Sequence, residues 1–230
     1  MSLQSTQEML AAHHRDGAHF AELMKESFAG RFNEDFWSAW TRLIEPALSQ
    51  APTLMDLGSG PGLLLRALNE RHPAAEVIGV ECAPYMLEAM GKLPDKVRVL
   101  AQDLHDPQFA LADGSVDAAT AVVVVHEMNQ PVAALQELRR VIKKGGRLLL
   151  QDWVRAPLSA YFEAQLEDPS SVFDGSKTAD ELGDLFVHFV EHNRFSTDDL
   201  VFLLQKTGFE ILERSEYRGG RFVRLVAERA

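Results

Sequence analysis

From Pro52 onward, short apolar runs alternate with stretches whose apolar residues recur at helical spacing. The runs predict strands at about 53–57, 76–81, 97–101, 116–124 and 146–152. The intervening periodicity predicts helices at about 62–71, 84–91 and 131–143. The last two strands are rich in Val and Leu without polar alternation, as expected for strands covered on both faces. Strand–helix alternation of this kind reads as an open parallel α/β sheet with right-handed crossovers.

The flanks follow other patterns. Before Pro52, Met9 and Leu10, then Phe20, Leu23, Met24 and Phe28, recur at helical spacing. A further helix is expected from about Glu34 to Leu48, with Phe36, Trp37, Trp40, Leu43 and Ile44 on its apolar stripe. Asn33 is its expected N-cap, and Pro46 shortens its end. Residues 153–195 break the alternation with two expected helices, Pro157 to Leu166 and Lys177 to Asn193, which would form a lid over the strand ends. Ser196 to Asp199 then caps a helix that stops at Gly208. Phe209 to Ser215 and Arg221 to Glu228 read as a hairpin about Arg218-Gly219-Gly220. The expected organisation is a helical cap over 1–50 and one α/β domain over 51–230, carrying a helical insertion at about 153–195.

The chain has 230 residues and is 46% hydrophobic, enough for one substantial core. Its net charge of −11 argues against phosphate-neutralising nucleic-acid binding and against anionic membrane surfaces. A single cysteine, Cys82, excludes an internal disulfide and a cysteine-rich metal site. The N-terminal region, with His13 and His14, lacks an apolar signal core, and no apolar run approaches the ~20 residues that span a bilayer. A cytoplasmic location is therefore expected.

The chemistry starts at Leu54-Met55-Asp56-Leu57-Gly58-Ser59-Gly60-Pro61-Gly62, a strand running through a glycine loop into a helix. Glycines let backbone approach a ligand, and a helix N-terminus offers unpaired N–H groups. The loop reads G-x-G-x-G, with Leu63 where a dinucleotide loop has its third glycine, and it lacks the lysine of a phosphate loop. Asp56 would repel a pyrophosphate and attract an ammonium group. Glu81, 25 residues on, ends the second strand, where a carboxylate grips a ribose diol. Asp103, after the third strand, can accept from an exocyclic amine. S-adenosylmethionine carries an ammonium, a ribose and an adenine.

These residues resemble the class I S-adenosylmethionine-dependent methyltransferases, of the type acting on small molecules, over roughly Ala51 to Asp152. The glycine motif matches at Asp56, Gly58, Gly60 and Gly62, the ribose acid at Glu81, and the adenine-side acid at Asp103 beside Leu104. Lys144 stands where the family usually has proline before the double glycine. The resemblance implies a Rossmann-like seven-stranded, mostly parallel sheet with its last strand reversed and helices on both faces. It implies S-adenosylmethionine as cofactor, with Ser59, Cys82, Met86, Gln102, Val122 and Val123 completing the cofactor wall.

His126 and Glu127 follow the fourth strand and are candidate catalytic groups, His126 as a general base; the plainer reading is a turn histidine. Asn129, Asp152, Trp153, His188, Trp37 and Arg31 are substrate-side candidates, with Arg31 placed to pair with a cofactor carboxylate. His188 and His192, four apart on a helix, lack an evident third ligand, so no metal is expected. A small-molecule partner is expected, with no nucleic-acid or membrane partner, and a homodimer is compatible with the chain. The main alternatives are another chemistry on the same cofactor, such as its intramolecular cyclisation, and a non-catalytic cofactor-binding protein.

Overall fold

The computed structural model describes residues 3–14 and 16–230. Seven strands form one sheet: β1 (Thr53–Leu57), β2 (Glu76–Glu81), β3 (Val97–Ala101), β4 (Val116–Val122), β5 (Ile142–Trp153), β6 (Phe209–Tyr217) and β7 (Phe222–Arg229). Their order is β3-β2-β1-β4-β5-β7-β6, and β7 alone runs antiparallel to both neighbours. The reversed last strand agrees with the expectation from the sequence.

Side chains alternate across each strand, and this splits the core in two. Leu54, Val77, Ala118, Leu149 and Val226 face one layer, with Leu64, Leu65 and Leu68 of α5 (Leu63–Arg71) and Phe36 and Trp40 of the N-terminal segment. Met55, Ile78, Ala119, Leu148 and Leu225 face the other layer. There they meet Leu135 and Leu138 of α7 (Val132–Val141) and Leu200 and Leu204 of α10 (Thr197–Lys206). Helix α6 (Pro84–Met90) follows β2 and packs with the first helices of the chain.

The N-terminal segment is more broken than its periodicity predicts. It forms α1 (Leu3–His14), α2 (Gly17–Glu26), the single turn α3 (Phe28–Arg31) and α4 (Glu34–Ala39). Asn33 caps α4 through Phe36 N–H at 3.1 Å, as expected. The expected helix to Leu48 instead widens into a π-helical turn at Trp40–Ile44 and tightens at Glu45–Ala47. Pro46 explains this, because it cannot donate an N–H and restricts the residue before it.

Two strand boundaries also differ. β4 ends at Val122 because Val123 turns to φ +56°, a conformation that a β-branched residue rarely adopts. β5 begins at Ile142, directly after α7, and its register to β4 slips between Val116 and Ala118. The bulge absorbs Gly145 and Gly146. A Cβ on Gly146 would meet the Asp117 carbonyl oxygen at 2.7 Å, so glycine is required there.

The 153–195 insertion forms α8 (Leu158–Gln165) and α9 (Ala179–His192). They enclose a small core of their own, in which Tyr161, Phe162 and Val172 meet Leu182, Leu185 and Phe189. A reciprocal Thr178–Glu181 capping box fixes the start of α9. Among the described residues, no helix is long and apolar enough to cross a membrane.

Candidate active site

A cavity opens at the carboxyl ends of β1, β2 and β4. Asp56, at the end of β1, is 3% exposed and accepts a hydrogen bond from Thr120 Oγ1 at 2.6 Å. Burial pushes its carboxyl up to about 7, despite the Thr120 hydroxyl. Glu81, at the end of β2, is likewise raised by burial, against three backbone donors. These are the N–H groups of Gly60, Cys82 and Ala83, each at 2.8 Å. Two desolvated carboxylates in one cavity favour a ligand that brings positive charge or hydroxyl donors.

The glycine loop has a division of labour. Gly58, Gly60 and Gly62 all have positive φ. A Cβ on Gly58 would meet Val124 at 2.4 Å, and one on Gly62 would meet Met90 at 2.5 Å. Above Gly60 there is nothing within 4 Å. Gly60 is therefore where backbone is bared to the cavity, while Gly62 caps α5 and lies off the cavity wall.

Arg31 lines the same cavity. Its Nη2 donates to Met24 O at 2.7 Å, while its Nε is buried without a hydrogen-bond partner. Burial lowers its pKa, and the charge of Asp56 opposes that shift. Asp103 also lines the wall, but its oxygens are engaged. Oδ2 accepts from Thr6 Oγ1 at 2.6 Å, and Oδ1 accepts from the His105 backbone N–H at 2.9 Å and faces His105 Nδ1 at 2.9 Å. Ser59, Cys82, Met86, Gln102, Leu104, Val122 and Val123 complete the expected set on the wall. Burial raises the Cys82 thiol to about 12, which makes it inert packing.

The catalytic candidates separate. Glu127 lines the cavity and lies 3.2 Å from His14 Nε2. Burial would raise its carboxyl, but His14 and the neighbouring histidines hold it below its ordinary range. His126 lines no described cavity. Its ring is 2% exposed, and Nδ1 bonds Asp152 Oδ1 at 2.7 Å. Burial pulls its pKa down, and Asp152 outweighs burial to raise it.

Most substrate-side candidates are placed elsewhere. Asp152 is fully buried and gathers the backbone N–H groups of Val124, Val125, His126 and Trp153 at 3.3, 2.6, 3.1 and 2.7 Å. It fixes the turn after β4 rather than facing a ligand. Trp153 packs on Phe222 at 4.9 Å, with the Arg218 guanidinium over its ring at 5.2 Å. Trp37 joins the aromatic core of the N-terminal segment, under Arg71. Asn129 is exposed and paired with Arg194. Each side chain has a packing or pairing partner that holds it off the cavity.

His188 lies on a second cavity, between α1 and helices α8 and α9. His14 and Phe20 line both cavities, stacked at 3.7 Å and 11°. Lining residues that sequence reasoning missed include Thr6, Leu10, His14, Phe20 and Met24 from the first helices, and His105, Val124 and Met128 beyond strand ends. The stripe at spacing four (Phe20, Met24, Phe28) was visible, but it reads equally well as core.

Comparison with known proteins agrees with this geometry. Residues 55–150 match the methyltransferase domain family. A demethylmenaquinone methyltransferase of Thermus thermophilus is 35% identical over 125 residues, covering 52% of this chain and 56% of that one. The chain spans about half the length of the curated relatives it first matches. A Haloferax volcanii chain, from a complex of the Trm112 methyltransferase activator with a methyltransferase, superposes with TM-score 0.69. It is 16% identical, over 93% of this chain and 97% of that one. An S-adenosylmethionine-dependent methyltransferase from Mesorhizobium loti gives TM-score 0.60 at 17% identity, over 84% and 97%. Residues 55–150 therefore match the methyltransferase domain family, and the chain as a whole has the fold of the methyltransferase structures on which it superposes.

Proposed function

We propose that this chain transfers the methyl group of S-adenosylmethionine to a small-molecule acceptor. The observation that carries the reading is the first cavity: Asp56 and Glu81 desolvated side by side, bare backbone at Gly60, and Arg31 with a buried, unpartnered Nε. Asp56 suits an ammonium, Arg31 a carboxylate, Glu81 a ribose diol, and Asp103 with Leu104 and Met86 an adenine. The cofactor supplies a methyl group on an electrophilic sulfonium. The protein then has to align a nucleophile and exclude water, and helices α1 to α3 supply the roof that does so. No dedicated base is needed unless the acceptor arrives protonated.

The acceptor site in this reading is the second cavity, because the His14–Phe20 stack is the wall that it shares with the first. Lys177, Glu181, Asp184 and Glu191 on its lining favour a compact polar acceptor over a long apolar chain. Residues 1–50 act as a cap and 153–195 as a lid, which together set specificity. Small polar amines and hydroxy compounds therefore head the screen, followed by a quinone without a long side chain, because the Thermus relative is named for demethylmenaquinone.

The test is calorimetric titration with S-adenosylhomocysteine, then a screen that reads methylated product by mass. Micromolar-scale cofactor binding and a methylated product are expected. Binding with cofactor consumption but no methylated acceptor would replace methyl transfer with another chemistry on the same cofactor. No binding would remove the reading.

A further inference from the structure

Five of the chain's eight histidines converge where α1 meets the lid: His13, His14, His126, His188 and His192. Their rings stack across three separate segments. His188 lies on His192 at 4.1 Å, His126 on His192 at 5.2 Å, and His13 on His192 at 5.2 Å. Methyl transfer to a small acceptor does not account for such a gathering.

We propose that His13, Glu191 and His192 form a site for one divalent transition-metal ion of the zinc type, on the wall of the second cavity. The His13 Nδ1 and Glu191 Oε2 atoms are 2.9 Å apart, although 178 residues separate them in sequence. His13, Glu191 and His192 each offer one donor atom, and these atoms all lie within 4.8 Å of one another. Ligands about 2.0–2.1 Å from a tetrahedral ion stand roughly 3.3 Å apart, so small side-chain rotations suffice.

The tautomer of His192 suits this role. Its Nδ1 faces the His188 carbonyl oxygen at 3.0 Å, where it donates, so Nε2 carries the free lone pair. A ligating histidine is characteristically oriented in this way, by a carbonyl or carboxylate on its other nitrogen. Two imidazoles and one carboxylate select borderline metals over Mg²⁺ or Ca²⁺, which prefer all-oxygen sets. All three residues line the second cavity, so the remaining coordination positions would open toward its contents.

A competing set, His13, His14 and Glu127, is also within 4.8 Å. There, however, both His14 nitrogens are engaged, by Tyr85 OH and by Glu127, and Glu127 belongs to the first cavity. An ion pair between His13 and Glu191 alone is the simpler alternative, and the metal titration separates the two. The sequence hid the site because α9 supplies only two of its ligands, the neighbouring Glu191 and His192, and the third, His13, comes from α1.

The experiment uses the whole chain without an affinity tag, stripped with chelator. Zinc chloride is titrated calorimetrically, and Co²⁺ is followed by its visible absorption. One equivalent is expected to bind, with ligand-field bands for Co²⁺. His13→Ala and His192→Ala should each weaken binding by roughly tenfold or more, while His72→Ala should leave it unchanged. Circular dichroism and S-adenosylhomocysteine titration of each variant report folding and the first cavity independently, so failure here is distinct from failure of the proposed function. The absence of a stoichiometric site, or binding that survives both substitutions in folded protein, overturns the proposal.

Discussion

Thr6 and Asp103 are joined by a 2.6 Å hydrogen bond across 97 residues, which ties the first helix to the acid after β3. Gln7 adds a second tie, donating to Cys82 O at 2.8 Å. Helix α1 is therefore a roof on the first cavity, held at its Asp103 side. Thr6→Val removes one partner of a buried carboxylate, costing about 1 kcal/mol or more. S-adenosylhomocysteine affinity should fall roughly five- to tenfold, mainly through faster release, as read by stopped-flow displacement. Unchanged release would show that α1 does not gate the cavity.

The raised carboxyl of Asp56 gives cofactor binding a pH dependence of definite sign. With a value of about 7, Asp56 is largely protonated below neutrality, when it cannot pair with an ammonium. Affinity should rise about tenfold per pH unit up to about 7 and level off above it. Asp56→Asn should flatten the profile at the weak end. Stability of the free protein runs the other way. The folded value lies above the ordinary 3.8, so the protonated form favours folding. That contribution is complete below about 4 and is lost as pH rises through 7. Calorimetric titration and thermal melts over pH 5–8 check both slopes.

Gly58 and Gly60 should fail in different ways. Gly58→Ala drives a Cβ into Val124, so a clear drop in melting temperature is expected. Gly60→Ala costs only the left-handed strain of about 1–2 kcal/mol, but it places a methyl group where backbone is bared to the cavity. Its melting temperature should move less than that of Gly58→Ala, while cofactor affinity should fall by at least an order of magnitude. Equal effects on both measurements would remove the distinction.

Asp152→Ala should be the most destabilising single change among the site candidates. It strips a fully buried carboxylate from four backbone donors and from His126. A loss on the order of 3–5 kcal/mol is expected in denaturant melts. His126→Gln should also lower stability, yet keep S-adenosylhomocysteine binding, because its ring lines no described cavity. Selective loss of turnover at full stability would return His126 to the mechanism.

The sheet and the wall of the first cavity were legible because they follow from short-range chemistry. β1, β2 and β3 fall at their expected bounds, since each is an apolar run closed by an acid or a turn. Most of the candidate cofactor residues follow strand ends, so their placement comes with the strands. Gly62 was misplaced because a glycine in such a loop can serve the ligand or the helix, and only the Met90 contact distinguishes them. Whether Asp152 and Trp153 line a pocket or close the sheet edge was open in the sequence, because burial at a sheet end depends on β7 and the turn after β4, both distant in sequence. The roof was illegible for the same reason. Thr6 and His14 gain meaning only when α1 lies across the strand ends.

The His14–Phe20 stack faces both cavities, so its position enters the volume of each. A ligand that moves the pair on one side changes the work needed to fill the other. The two sites then close a thermodynamic cycle. Whatever factor an acceptor applies to the cofactor's dissociation constant, the cofactor must apply to the acceptor's. The size of that shared factor would then be set by a single pair of rings.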